Sequence, residues 1–167
     1  MSKTLYIDYN KCIGCETCEA VCKTLYDKPR INMTRTTEGV LMPLYCRHCD
    51  RPACANVCPR GALIKAADGS VILQPLLCAG CESKPCLMAC PFGGVFTSSR
   101  EAPVTKCDLC THRRAVGMGP ACVEMCPCQA IQYVEREAIP ALQTEAASKA
   151  EAMVLAHIRP PSTKLGR

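Results

Sequence analysis

Apolar positions along this 167-residue chain come in short runs, cut apart by polar, glycine and proline punctuation, until one alanine-rich stretch near the end. Thr4–Asp8 and Ala62–Lys65 are strand-like, and Asp68-Gly69 makes a hairpin turn from the latter into Ser70–Leu73. Ala130–Val134 is a further strand. Glu19–Val21, Ala55–Val57, Leu87–Ala89 and Val123–Met125 suit single helical turns. The unit of strand, loop and turn recurs, an internal repeat that predicts a small α+β fold. The longest apolar runs, such as Val71-Ile72-Leu73, fall far short of a membrane span.

The alanine-rich stretch differs in kind. Ala141–Ile158 contains no glycine, Pro140 suits a first helical turn, and Pro160-Pro161 stops a helix. A helix over 141–158 would reach roughly 27 Å. Leu142, Ala146, Ala150 and Met153 fall near one face, with Val154 and Ile158 beside it. Such a helix could fold back on its own core. Its length on so small a body favours an arm that docks on a neighbouring subunit, and that is the expectation. Ser162–Arg167 is expected to be a disordered tail.

Composition sharpens the picture. Aromatic residues make up 4%, with no Trp and two Phe, Phe92 and Phe96, so large core side chains are scarce. Seventeen cysteines must supply what the core lacks. Their odd number argues against a disulfide framework. Met1–Asn10 carries no apolar signal region and no twin arginine, so a soluble, cytoplasmic protein is expected.

Sixteen of the cysteines fall into four quartets. Cys12, Cys15, Cys18 and Cys22 are spaced C-x2-C-x2-C-x3-C; Cys46, Cys49, Cys54 and Cys58 are spaced C-x2-C-x4-C-x3-C. Cys78, Cys81, Cys86 and Cys90 repeat the second spacing, and Cys107, Cys110, Cys122 and Cys126 widen its middle gap to eleven residues. Pro59, Pro91 and Pro127 follow the last cysteine of three quartets. The first spacing is that of bacterial ferredoxins, where the fourth Cys ligates the other [4Fe–4S] cluster of a pair. A short loop can wrap three thiolates round three corners of a cubane, while the fourth sits on the next turn and points away. Gly14 and Gly80 would let the backbone approach an inorganic sulfide. Zinc ribbons pair two separated Cys-x2-Cys knuckles, and the compact fourfold repeat makes zinc the weaker alternative.

Metal-bound cysteine is a thiolate, which changes the charge. The formal +5 invites a nucleic-acid reading. Sixteen thiolates remove sixteen units and four [4Fe–4S]²⁺ cores return eight, leaving about −3. Lys11, Lys23, Arg47, Arg51, Arg60, Lys84, Lys106, Arg113 and Arg114 then read as compensation for cluster charge, and no basic stretch carries stacking aromatics.

At Cys46-Arg-His-Cys-Asp-Arg-Pro-Ala-Cys and Lys106-Cys-Asp-Leu-Cys, with Gly119-Pro-Ala-Cys-Val-Glu-Met-Cys-Pro, the chain resembles a known family over about residues 4–134. These are the four-cluster iron–sulfur subunits of molybdenum and tungsten oxidoreductases of the DMSO reductase, formate dehydrogenase and formate hydrogenlyase types. Polyferredoxin subunits of tungsten aldehyde oxidoreductases look similar. The resemblance implies that the first quartet pairs with the fourth and the second with the third. Cluster 1 would take Cys12, Cys15, Cys18 and Cys126; cluster 2, Cys107, Cys110, Cys122 and Cys22. Cluster 3 would take Cys46, Cys49, Cys54 and Cys90; cluster 4, Cys78, Cys81, Cys86 and Cys58. It further implies two ferredoxin-like halves in one compact domain: residues 1–40 with 100–134 as the outer half and 41–99 as the inner. Residues 135–167 form the C-terminal helix and tail. Three departures stand out: four residues in the middle gap of the third quartet (Glu82 to Pro85) where the family has two, Lys23 after Cys22 in place of proline, and no anchor helix.

The remaining candidates have bland readings. Cys128 is expected to be an inert thiol beside a cluster, or else a substitute ligand; His48 and His112 are expected to be solvated or to support the loops. Ile13, Val21, Val57, Leu87, Met125 and Ile131 read as core, and Arg113-Arg114 either docks a partner or is solvated. No phosphate loop, nucleophile arrangement or dinucleotide fingerprint is present, so no catalytic residue is assigned. The expected function is a non-catalytic electron-transfer subunit. It would pass electrons between a Mo/W-pterin catalytic subunit, acting for instance on formate or an aldehyde, and a flavin, hydrogenase or ferredoxin partner. The alternatives are a free-standing polyferredoxin or maturation factor and, from another class, a zinc-binding adaptor.

Overall fold

A computed structural model describes residues 3–158. Along the chain run β1 (Lys3–Ile7), α1 (Thr17–Tyr26), β2 (Asn32–Arg35), β3 (Leu41–Leu44), α2 (Ala53–Asn56), β4 (Leu63–Lys65), β5 (Val71–Leu73) and α3 (Pro75–Cys78). Then come α4 (Pro85–Ala89), β6 (Val95–Phe96), β7 (Thr105–Lys106), α5 (Thr111–Ala115), α6 (Ala121–Glu124), β8 (Ile131–Glu135), α7 (Ile139–Leu142) and α8 (Glu145–Ile158). The expected α+β class holds.

Every sheet is a two-stranded antiparallel ribbon. β1 pairs with β8 from Lys3↔Glu135 to Ile7↔Ile131, which joins the first strand to the strand that follows the fourth quartet. β4 pairs with β5 across the expected turn, where Gly69 takes a positive φ and the Asp68 carboxylate accepts from the Ser70 N–H at 2.9 Å. Two ribbons had no signal strong enough to read: β2 with β3, closed by the Thr36 N–H to the Val40 carbonyl at 2.9 Å, and the two-residue β6 with β7.

Proline sets the helix lengths. Pro59, Pro91 and Pro127 push the preceding cysteine out of the helical region, and α2, α4 and α6 stop within four or five residues. Lys23 imposes no such limit, so α1 runs ten residues, well beyond the single turn expected at Glu19–Val21.

The buried apolar side chains form two clusters. One gathers Leu5, Ile7, Tyr9, Ile31, Met42, Tyr45, Leu109, Ile131 and Val154. The other gathers Ala62, Leu63, Val71, Val95 and Val104 around Cys54, Cys78 and Cys86. Of the expected core residues, Ile131 is buried, but Ile13, Val57 and Met125 are exposed, because each sits on the solvent side of a cysteine loop or short helix.

The C-terminal helix takes the fold-back alternative within this chain. It is folded back on its own chain, with Ala147 and Val154 buried and Val154 inside the first core cluster. Glu151 pairs with Arg47, and the Tyr6 hydroxyl donates to the Leu142 carbonyl at 3.2 Å. Of the face expected to dock a neighbour, Ala150 packs on the core, whereas Ala146 and Met153 are exposed. Nor is 141–158 one helix: the Thr144 hydroxyl accepts from the Ala147 N–H at 3.2 Å, so α8 starts afresh after the α7 turn around Pro140. The expected tail at Ser162–Arg167 lies outside the described residues. No helix among the described residues is long and apolar enough to cross a membrane.

Candidate metal centre

The cysteine loops are held by backbone that only glycine permits at key points. A Cβ on Gly94 would lie 2.6 Å from the Tyr45 carbonyl oxygen and 2.8 Å from the Cys46 Cα. The bare glycine lets the strand after Cys90 lie directly on the start of the second quartet. Gly14 has a positive φ and would bring a Cβ to 3.0 Å from the Leu41 side chain, so the first loop is seated on β3 as well as wrapped on itself.

These constraints bring together cysteines far apart in sequence. A small cleft is lined by Cys12, Cys15, Cys18 and Cys126, with Cys128 beside them. A second is lined by Cys22, Cys107, Cys110 and Cys122. The other eight cysteines segregate by mutual electrostatics. Burial first, then charge on Cys46, Cys90 and Cys49, pushes the Cys54 thiol up to about 11. Burial, then Cys58, Cys78 and Cys81, pushes Cys86 up to about 11. In the first cleft, burial followed by Cys12, Cys15 and Cys126 pushes Cys18 up to about 12. In the second, Cys122 is raised by burial and then by Cys107, Cys110 and Cys22. Each group combines buried and half-buried thiols, apart from the exposed Cys15, and thiols that penalise one another's ionisation can be held together as thiolates by a compact polycation between them. The donor set therefore fits an iron–sulfur cubane.

Backbone N–H groups are already aimed at several sulfurs. Arg30 donates to Cys22 at 3.2 Å, Ala62 to Cys58 at 3.3 Å and Gly94 to Cys90 at 3.3 Å. Val104 donates to Cys78 at 3.4 Å and Leu109 to Cys107 at 3.3 Å. Such donors stabilise thiolate and tune a bound cluster. At Cys58 burial raises the thiol, but the N–H groups of Arg60, Ala62, Leu63 and Gly61 outweigh it and leave it below its usual range. Among the described residues, no three His, Cys, Asp or Glu side chains are close enough to share a single metal ion. Zinc would hold thiolates at about 2.3 Å from one centre.

The other candidates resolve individually. Cys128 Sγ lies 3.7 Å from Cys126 Sγ. Its thiol is raised by burial but brought below its usual range by the Ala130 N–H, the Cys126 side chain and the Ile13 N–H. Arg113 is engaged by Glu124 at 2.5 Å and Arg114 by Asp68 at 2.8 Å, so the pair staples the chain to itself. His112 is exposed. His48 is fully buried, which corrects the solvated reading; its Nδ1 accepts from the Val71 N–H at 2.9 Å and its Nε2 has no partner among the described residues. Burial, then the charges of Lys106, Lys65, Arg136 and Arg114, holds it well below the ordinary imidazole range and therefore neutral. Of the basic residues near the cysteines, Lys84 and Lys106 are buried. Sequence could not separate these two from their exposed neighbours, because burial of a lysine depends on which segments cross it.

Comparison with known proteins supplies the remaining findings. The chain matches the 4Fe-4S dicluster domain over residues 37–136 and the 4Fe-4S binding domain over residues 5–24. It is 38% identical over 147 residues to a probable anaerobic dimethyl sulfoxide reductase chain, YnfG, of Escherichia coli (strain K12), covering 77% of this chain and 71% of the relative. It is 37% identical to a tetrathionate reductase subunit of Salmonella typhimurium (strain LT2), over 73% of this chain and 53% of that relative. It is 32% identical to the electron transport protein HydN of Escherichia coli (strain K12), over 87% of this chain and 95% of HydN.

Proposed function

This chain belongs to the 4Fe-4S dicluster family of iron–sulfur electron-transfer subunits, and from that premise we propose that it holds four clusters as the wiring subunit of a molybdenum- or tungsten-pterin oxidoreductase. The proposed ligands are Cys12, Cys15, Cys18 and Cys126; Cys22, Cys107, Cys110 and Cys122; Cys46, Cys49, Cys54 and Cys90; and Cys58, Cys78, Cys81 and Cys86. The observation that carries this reading is that each group of mutually interacting thiols draws three members from one quartet and one from another. The same grouping supports two ferredoxin-like halves, residues 1–40 with 100–134 and residues 41–99.

The contacts also support an order. Cys18 and Cys122 are electrostatic neighbours within the outer half. Cys46 is the cysteine whose charge acts most on Cys107, and these two belong to different halves. The four sites would therefore follow one another from the Cys12 set through the Cys107 and Cys46 sets to the Cys78 set. When bound, [4Fe–4S] clusters supply one-electron chemistry. The chain's own work is to hold the thiolates, donate N–H groups to them, and bury part of each set away from water. One end of this order would meet the pterin subunit, of the formate or aldehyde type, and the other a flavin, hydrogenase or ferredoxin partner.

A second reading has a specific observation behind it. HydN and the putative electron transport protein YsaA of Escherichia coli (strain K12) are matched over 95% and 94% of their lengths, whereas YnfG is matched over 71%. A free-standing relay of their size is the natural alternative. Anaerobic purification of the tagged chain from its host, with iron, zinc, molybdenum and tungsten measured on the eluate, separates them. A stoichiometric large subunit carrying molybdenum or tungsten supports the wiring subunit. Full iron on the chain alone selects the relay, and zinc in place of iron contradicts both.

A further inference from the structure

Lys106 is 3% exposed, and the residues round it are short of negative charge. Its ammonium donates to the carbonyl oxygens of Val71 and, at 2.5 Å, of Cys107. No carboxylate pairs with it among the described residues. The nearby cations are different. Lys65 and Arg136 reach Asp50 at 3.6 and 3.3 Å, and Arg114 reaches Asp68. A buried cation that meets only carbonyl dipoles is unfavourable unless an anion completes its surroundings.

The position of Lys106 says where that anion lies. It ends β7, pairs with Val95 of β6, and immediately precedes Cys107. The chain crosses here from the inner cysteines to the outer ones, where Cys46 is the cysteine whose charge acts most on Cys107. Val71 ties the crossing together: its carbonyl accepts from Lys106 and its N–H donates to His48, inside the Cys46–Cys49 loop. His48 therefore carries its proton on Nε2, and that atom is buried without an acceptor among the described residues. Two buried donors, on two segments, flank one junction: among the described residues Lys106 has no carboxylate partner and His48 Nε2 has no acceptor.

We propose that Lys106 is the shared counter-cation of the two central cluster sites, the Cys46 set and the Cys107 set, and raises the reduction potential of both. The inference rests on the four-cluster reading above. Reduction adds one negative charge to a cluster, so a fixed cation in a dry junction favours the reduced form. Lys106 acts as a positioning charge and ligates nothing.

The test is an EPR-monitored redox titration of the anaerobically purified full chain, with iron counted on each sample. K106M is expected to keep its iron and to move two midpoint potentials to more negative values. K106R, which keeps the charge, returns them toward the wild type. K149M, on the exposed side of α8, leaves all of them in place. Full iron in K106M with no potential moved overturns the proposal, as does a K106R protein displaced as far as K106M. Should K106M lose iron, K106Q keeps donors for the two carbonyls without the charge: a negative shift supports the proposal and an unmoved pair of potentials overturns it. If both neutral variants lose iron, retention by K106R supports the charge role and loss by K106R overturns it. Fewer than four reducible centres in the wild type would sink the four-cluster reading separately, whichever way the variants behave.

Discussion

The cysteines of residues 46–90 and those contributed by the two ends of the chain solve the same problem with different means. The middle region is local: one turn of helix follows another, the β4–β5 ribbon closes within a few residues, and the buried cluster is made of Ala, Leu and Val packed on cysteine. The end region needs β1 to find β8, and it is sealed by buried Tyr9, Tyr45 and Met42 and by α8 laid across it. Four thiols can be gathered by local loops where the sequence between them is short. Where they come from opposite ends, a larger core must hold the ends together. The few large side chains of an aromatic-poor protein are concentrated there.

The difference can be broken at a single backbone atom. Gly94→Ala would drive a Cβ into Tyr45 and Cys46, which cannot yield because they are backbone. The expected cost is about 3 kcal/mol, together with loss of about four irons per chain from the middle region. Iron analysis and the melting temperature of the loaded protein check it. Val154→Ala should act on the end region instead, costing about 2 kcal/mol and lowering the melting temperature by several degrees with iron unchanged. A variant that melts like the wild type would mean that α8 is not part of the core. Asp68→Asn is the smallest change. It cuts the Arg114 bond between the β4–β5 turn and α5, and because Asp68 is largely exposed the loss should be about 0.5 kcal/mol. Added salt should shrink that difference further.

Much of this was legible beforehand, for identifiable reasons. Cysteine spacing and the prolines after Cys58, Cys90 and Cys126 are local signals, and the flanking strands at Lys3–Ile7, Leu63–Lys65, Val71–Leu73 and Ile131–Glu135 lie within a residue or so of the expected ones. The fate of α8 was not legible, because an amphipathic face does not say which surface it will cover. The burial of His48 and Lys106 was equally hidden: each sits in a polar loop by sequence, and only the crossing of β5 and β7 closes over them. Nothing in the sequence singles out Gly94; only the fold brings Tyr45 and Cys46 against it.

The central claim is that ligands are exchanged between quartets, and one pair of variants tests it most directly. Starting from a chain with Cys107, Cys110 and Cys122 all changed to alanine, either Cys22→Ala or Cys126→Ala is added, and iron and EPR-active clusters are counted per chain. Exchange predicts that adding Cys22→Ala changes nothing, leaving about twelve irons, while adding Cys126→Ala damages a further cluster. The reverse, with Cys126→Ala silent and Cys22→Ala harmful, would contradict the account.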